Sequence, residues 1–229
     1  VWFCGGHGVC LTEGGDSTLP LEQTWLWLAK YLKGDTSVDT GPAFTWIDQR
    51  GRFRSAADYP SAASRITAGG KGALRLKDKG GSGPYTGTLP SSISPTFSLV
   101  LRPTIPAPAK NAVSVGLKAK KAAVVVGAPK IHLTYKGTSK NKKVRVLAQL
   151  VDPKTKTVVG NQITPIALTL NGKRQKSDVA MEEITFSLRK GQRLQVQIVA
   201  NSGAYDTFPK GGRVSFSKVK VGLPVVNSS

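Results

Sequence analysis

The sequence predicts a mainly β protein: a jelly-roll β-sandwich preceded by a short strand, a turn and one amphipathic helix. From residue 122 onward, short segments that alternate apolar and polar residues lie between Gly, Pro, Asn and Asp turns, the pattern of a sandwich or jelly roll. Ahead of them, residues 21–32 carry apolar side chains at helical spacing. Charge is also unevenly divided. Residues 1–64 hold 5 Lys/Arg against 7 Asp/Glu and all four tryptophans, whereas residues 65–229 hold 28 against 6. That asymmetry separates two units with different surfaces.

Residues 1–4 read as a short buried strand and Gly5–Gly8 as a tight turn. In the helix, Leu21, Trp25, Leu28 and Leu32 share one face; Pro20 suits its first turn and Gly34 ends it. Strand, turn and helix together form an α/β edge unit. Residues 43–48 alternate as a strand, 49–51 turn, and 52–55 begin the return strand. The Ala/Ser/Gly-rich stretch from 56 to 72 and the Gly/Pro-rich stretch 79–95 read as loops, and 105–109 as a proline-rich connector. The expected later strands are 122–126, 130–136, 144–151, 157–159, 163–170, 182–188, 193–200 and 214–221. Residues 152–156 form a hairpin turn, and Asn171-Gly172 is the strongest type I′ hairpin signal in the chain.

With 229 residues the chain is long enough for one or two domains and a sizeable core. It contains no apolar run of the ~18 residues that a membrane-spanning helix takes. The net charge of +20 attracts polyanions in general. However, the lysines sit at turns and alternate with Val, Leu and Ile, as on the wet side of a sheet, and no nucleic-acid-binding signature accompanies them. Nucleic acid is therefore not the expected partner. Cys4 and Cys10 flank His7. These three ligands do not complete a tetrahedral zinc site. A local disulfide, two buried thiols and a redox or metal role all stay open, the disulfide if the compartment is oxidising. No cofactor is expected.

Gly5-Gly6-His7-Gly8 presents an uncrowded imidazole where an apolar run breaks into a glycine turn. Behind it come residues 25–32 running into Lys33-Gly34-Asp35, then Val38-Asp39-Thr40-Gly41-Pro42, residues 44–48, Gly51-Arg52-Phe53-Arg54-Ser55-Ala56 and Tyr59-Pro60. In this order they resemble the end of the catalytic domain in the X-prolyl dipeptidyl-peptidase and cocaine-esterase family of α/β-hydrolases. Gly127-Ala128-Pro129, residues 147–153 and residues 188–196 are similar to strand signatures of that family's jelly roll.

The resemblance implies that residues 1–37 are the last strand, histidine loop and helix of an α/β-hydrolase domain, and residues 38–229 its C-terminal jelly roll. It implies that His7 is the catalytic histidine, taking a proton from a serine and returning it to the leaving group. The family's nucleophile sits in G-x-S-x-G, which this sequence lacks, and chain order is Ser, then Asp or Glu, then His. Both partners are thus expected on a segment N-terminal to Val1. The implied substrate is a peptide with proline near its N-terminus or a small ester or amide. The localisation stays open, with a secreted or cell-envelope setting favoured.

Other residues are weaker candidates. Glu13 and Asp16 follow the histidine loop and read as solvated rather than as neighbours of the active-site mouth. Trp25 and Trp27 are expected to pack the helix onto a sheet. Tyr205 and Phe208 lie in a late loop, and His132 on a sheet surface. The jelly roll itself admits a structural role, glycan binding or anion binding, and fold does not choose among them.

Overall fold

The computed structural model describes residues 1–4, 9–12, 14–91, 93–205 and 211–226, so His7, Glu13 and Phe208 lie outside the described residues. The elements run α1 (Leu19–Tyr31), β1 (Phe44–Ile47), β2 (Phe53–Ala56), β3 (Ser64–Arg75), α2 (Pro95–Leu101), β4 (Ala112–Lys118) and β5 (Ala123–Gly127). They continue as β6 (Lys130–Asp152), β7 (Thr157–Asn171), β8 (Gln175–Ala180), β9 (Ile184–Leu188), β10 (Arg193–Val199) and β11 (Arg213–Val226). Strands β3–β11 form one antiparallel sheet that curls on itself, and β1 and β2 pair as a separate hairpin.

Strand β6 explains the curl. Its 23 residues far exceed the usual ~5–6 and are shared by both layers. The first part pairs with β8 and β11. After a register shift between Thr138 and Lys143, the last part pairs with β7 and β10. The sequence divides this strand into 130–136 and 144–151 because the polar stretch between them carries no apolar alternation. Paired backbone carries the strand through it. In the same way 157–159 and 163–170 are one strand, β7.

The core lies between the layers and follows the period of two. Val113, Val115 and Leu117 of β4, Ile131, Leu133 and Tyr135 of β6, and Leu194, Val196 and Ile198 of β10 are buried, with exposed or half-buried residues between most of them. On β11 the inward set runs Val214, Phe216, Val219, Val221. The register shift between Phe216 and Val219 inserts one residue, so both sides of the bulge keep their apolar residues inward.

Residues 64–75 are a strand, not the loop their composition suggests. β3 pairs with β11 along its whole length. Its glycines are a packing device: a Cβ on Gly70 would lie 2.9 Å from Val115 Cγ2, and one on Gly72 3.0 Å from Val113 Cγ1. Their absence lets β4 close over β3. Asn171-Gly172 likewise does not close a hairpin. β7 and β8 both pair with β6 rather than with each other, and this corner passes the chain from one end of β6 to the other. Strands β4 and β8 and helix α2 are further elements that the sequence reading does not anticipate.

The N-terminal segment does not form a full strand. Trp2 makes a parallel bridge to Trp46 and is half-buried, while Val1 and Phe3 are exposed. Trp2, Phe44 and Trp46 pack with Val124, Val126 and Val226 in a small second core outside the main sheet. Helix α1 buries no residue, and Trp25 and Trp27 stay 63% and 56% exposed, so they do not pack onto a sheet here. No helix of the described residues is long and apolar enough to cross a membrane.

The long connection 77–111 is held against the end of β10 by backbone pairing. The Ser82 amide donates to Asn201 O at 2.9 Å, and Gly203 donates back to Ser82 O at 3.2 Å. A Cβ on Gly81 would lie 2.3 Å from Asn201 O. Gly81→Ala is therefore expected to open this pairing and cost about 1–3 kcal/mol, read as a lower midpoint in urea unfolding.

Candidate functional site

The residues on either side of positions 5–8 are fixed by three contacts. Trp2 bonds to β1 through both backbone groups: its amide donates to Thr45 O at 2.8 Å and its carbonyl accepts from the Ile47 amide at 2.8 Å. Cys4 and Cys10 are joined by a disulfide. The Asn161 side-chain amide donates to the Val9 carbonyl. Asn161 is placed for this by a bend in β7, where Gly160 and Asn161 both adopt positive φ (67° and 53°). A short polar side chain tolerates that backbone where a branched one does not.

These contacts frame a cleft of about 800 Å³. The N-terminal segment forms one side, including Cys4 and Val9, the described residues that flank positions 5–8. Residues 47–49, 157–162 and 182–186 form the rest. Glu182 and Glu183 line it. The Tyr59 hydroxyl donates to Glu183 Oε1 at 3.4 Å, and burial together with the Glu183 charge pushes the phenol pKa up. A second cleft of about 700 Å³ adjoins, sharing Leu11, Thr12, Gln49, Thr157 and Phe186. It is cationic on one side, with Arg50, Lys154, Arg189 and Lys190. Burial and then the charges of Arg189 and Arg52 hold the Arg50 pKa below its ordinary value.

The wall between the clefts is anchored by Asp48 and Gln49. Asp48 has a fully buried side chain that accepts from the Arg50 amide, the Arg52 amide and guanidinium, and Ser187 Oγ. Burial works to raise its pKa, but these donors outweigh it and hold the carboxyl down at about 2. Gln49 binds the backbone of Ser187 on both sides, Nε2 donating to its carbonyl and Oε1 accepting from its amide, each at 2.8 Å. The amide thereby pairs with β9, the edge strand, as a neighbouring strand would, and blunts that edge.

The other candidates lie elsewhere. Asp16 accepts from the amide and hydroxyl of Thr18 just before α1; these bonds lower its pKa, and it lines neither cleft. Trp25, Trp27 and Tyr205 also line neither, and the Tyr205 hydroxyl donates to Ile163 O. His132 is exposed on β6 and pairs with Asp178. Among the described residues no three of His, Cys, Asp and Glu are placed to hold a metal ion. The anchors Asp48, Gln49 and Asn161 escape a sequence reading, because an Asp or Asn in a polar turn looks like any other turn residue. The one visible hint is Asp48-x-x-Gly51-Arg52, a turn that returns a cation to its own first carboxylate.

No family model and no curated protein sequence matches the chain. Solved structures do. The chain superimposes on a CocE/NonD family hydrolase from Staphylococcus aureus with a TM-score of 0.59 and 12% identity, over 92% of this chain and 46% of that one. It matches an aminopeptidase from a marine sediment archaeon, Thaumarchaeota archaeon, with a TM-score of 0.63 and 10% identity, over 94% and 45%. It matches an α-amino acid ester hydrolase with a TM-score of 0.61 and 12% identity, over 93% and 46%. The chain thus spans less than half the length of each of these structures, and the matched region is their C-terminal part. At such identities the likeness is one of fold: a mainly β, curled antiparallel sheet of the kind that ends these hydrolases.

Proposed function

We propose that this chain is the C-terminal portion of a serine hydrolase, contributing the triad histidine, His7, and a β-sandwich that shapes the substrate pocket. The observation that carries the reading is the match of over 90% of the chain to the C-terminal parts of three hydrolases. Two local features support it. Cys4 and Val9, which bracket positions 5–8, both line the larger cleft, where a substrate has room. Helix α1 leaves Trp25, Trp27 and Leu32 uncovered, as a helix does when the sheet it belongs to is supplied by other residues.

In this reading residues 1–37 complete a hydrolase domain and residues 38–229 form the sandwich. The serine and the acid come from polypeptide outside this sequence. His7 accepts the serine proton as the hydroxyl attacks the substrate carbonyl, then delivers it to the leaving alcohol or amine; water repeats the cycle to release the acid. The substrate is a peptide with proline near its N-terminus or a small ester or amide.

A fluorophosphonate probe, which labels activated serines, tests the assignment. The chain alone is expected to remain unlabelled, because it holds no G-x-S-x-G nucleophile. Covalent labelling of a serine in this chain by itself would overturn the reading.

A further inference from the structure

The outer face of one layer is a cationic surface that the hydrolase reading leaves unused. It is built by β3, β11, the first part of β6, and β8, and none of these strands lines either cleft. The registers place its side chains row by row. In one row Arg75 stands beside Arg213. In the next, Ala73 stands beside Ser215, and Ser215 beside Lys136. Beyond the bulge Lys218 stands beside Thr134, and Thr134 beside Lys176; exposed Lys71 lies on β3 two residues before Ala73, on the same face. All of these are exposed or half-buried, while the inward residues between them belong to the core.

Two facts make the face more than a solvated surface. It holds one carboxylate, Asp178, and that one is paired with His132. Among the described residues the one ion pair that involves a lysine or arginine is Arg52 with Asp48, so the lysines and arginines of this face have no acidic partners. The small residues Ala73 and Ser215 also form the floor of a trough across the strands. Arg75 and Arg213 stand on one side, with Lys218 on the other and Lys136 at its end. The walls are about four residues apart along the strands, roughly 13 Å. That is the width for one extended chain with anionic groups along it.

We infer that this face docks an acidic polysaccharide. The chemistry of the face distinguishes it from other partners. Its strands present no ring apart from the imidazole of His132, since Tyr135 and Phe216 are buried, so it lacks the aromatic platform on which bases stack. It offers no large apolar side chain to insert into a bilayer; the exposed ones lie on or beside α1, on α2, in the segments around β1 and β2, and at Tyr205 after β10. The Cys4–Cys10 disulfide is the chemistry of an oxidising compartment, where acidic glycans are a common polyanion and nucleic acid is not. The inference does not depend on the hydrolase reading.

The full chain is titrated with polygalacturonate, with duplex DNA and with phosphatidylserine vesicles. Polygalacturonate is expected to bind tightest, with affinity falling at least about tenfold from ~50 to ~200 mM salt. The triple variant K71Q, R75Q, K218Q is expected to lose about tenfold at low salt. K118Q, K120Q, K121Q removes the same charge elsewhere and is expected to lose less than about twofold. Equal losses in the two triple variants, tighter binding of DNA or vesicles, or no binding of polygalacturonate would each overturn the inference. Reductive methylation of the unmutated chain gives a readout that does not depend on the variants folding. Lys71, Lys136 and Lys218 are expected to be protected by the polymer, and their full modification in its presence overturns the assignment.

Discussion

Replacing His7 by Ala, in a protein that joins this chain to its proposed serine-bearing half, is expected to lower kcat by roughly 10⁴–10⁶-fold. A serine hydroxyl is a poor nucleophile unless a base takes its proton as it attacks, and no second group in the proposed triad replaces the imidazole. The loss should fall on kcat rather than on KM, because the imidazole acts on the reacting atoms and not on the bound substrate. Stability should barely move, since the residues flanking positions 5–8 are held by the disulfide, by Asn161 and by the backbone bonds of Trp2, none of which involves residue 7. Steady-state kinetics with an activated ester, alongside urea unfolding of both proteins, checks both halves. Turnover within tenfold of the unmutated protein would remove His7 from the mechanism. A loss of turnover with a matching loss of stability would make it a structural residue.

Strand positions were legible where one pattern dominated. Val113–Leu117, Arg193–Val199 and Arg213–Val226 have buried apolar residues at every second position over much of their length, and two of these three were anticipated as strands. What escaped was set by neighbours rather than by local pattern. The run Ala68-Gly69-Gly70-Lys71-Gly72 has poor strand propensity, yet β11 pairs with it and β4 needs its missing side chains. Asn171-Gly172 has the chemistry of a hairpin, but β6 already offers partners to both strands that the turn joins. The periodicity of α1 was legible and its burial was not, because a helical stripe shows which face is apolar and nothing about what covers it. Around the cleft, the cysteine pair and the glycine turn were visible as candidates. The Asp48 and Gln49 anchors were not, because their partner Ser187 lies 139 and 138 residues away.

Asp48→Ala is expected to destabilise the fold by about 2–3 kcal/mol, the cost of leaving buried donors without their charged acceptor. The carboxylate accepts from Arg52 Nη2 at 2.7 Å, from Ser187 Oγ at 2.7 Å and from two backbone amides. Without it Arg52, already 44% exposed, can turn to water, but the Ser187 hydroxyl is left buried without its acceptor. The hairpin of β1 and β2 then keeps only the Gln49 side chain and Thr185 as its hydrogen-bonded links to β9, and the wall shared by the two clefts loosens. The pH dependence gives a second signature. The folded pKa of about 2 lies below the ordinary 3.8, so the stabilisation is fully present above the unfolded value and is lost as pH falls through the folded one. Between about pH 5 and pH 2 the unmutated chain should lose about 2 kcal/mol from this group. Asp48→Asn, nearly the same shape without the charge, should be less stable at neutral pH and lack that part of the acid-induced loss. Urea unfolding of both chains across this window checks the assignment. Parallel curves would show that the Asp48 charge contributes nothing, and that the hairpin is held by Gln49 and by the packing of Phe44 and Trp46 alone.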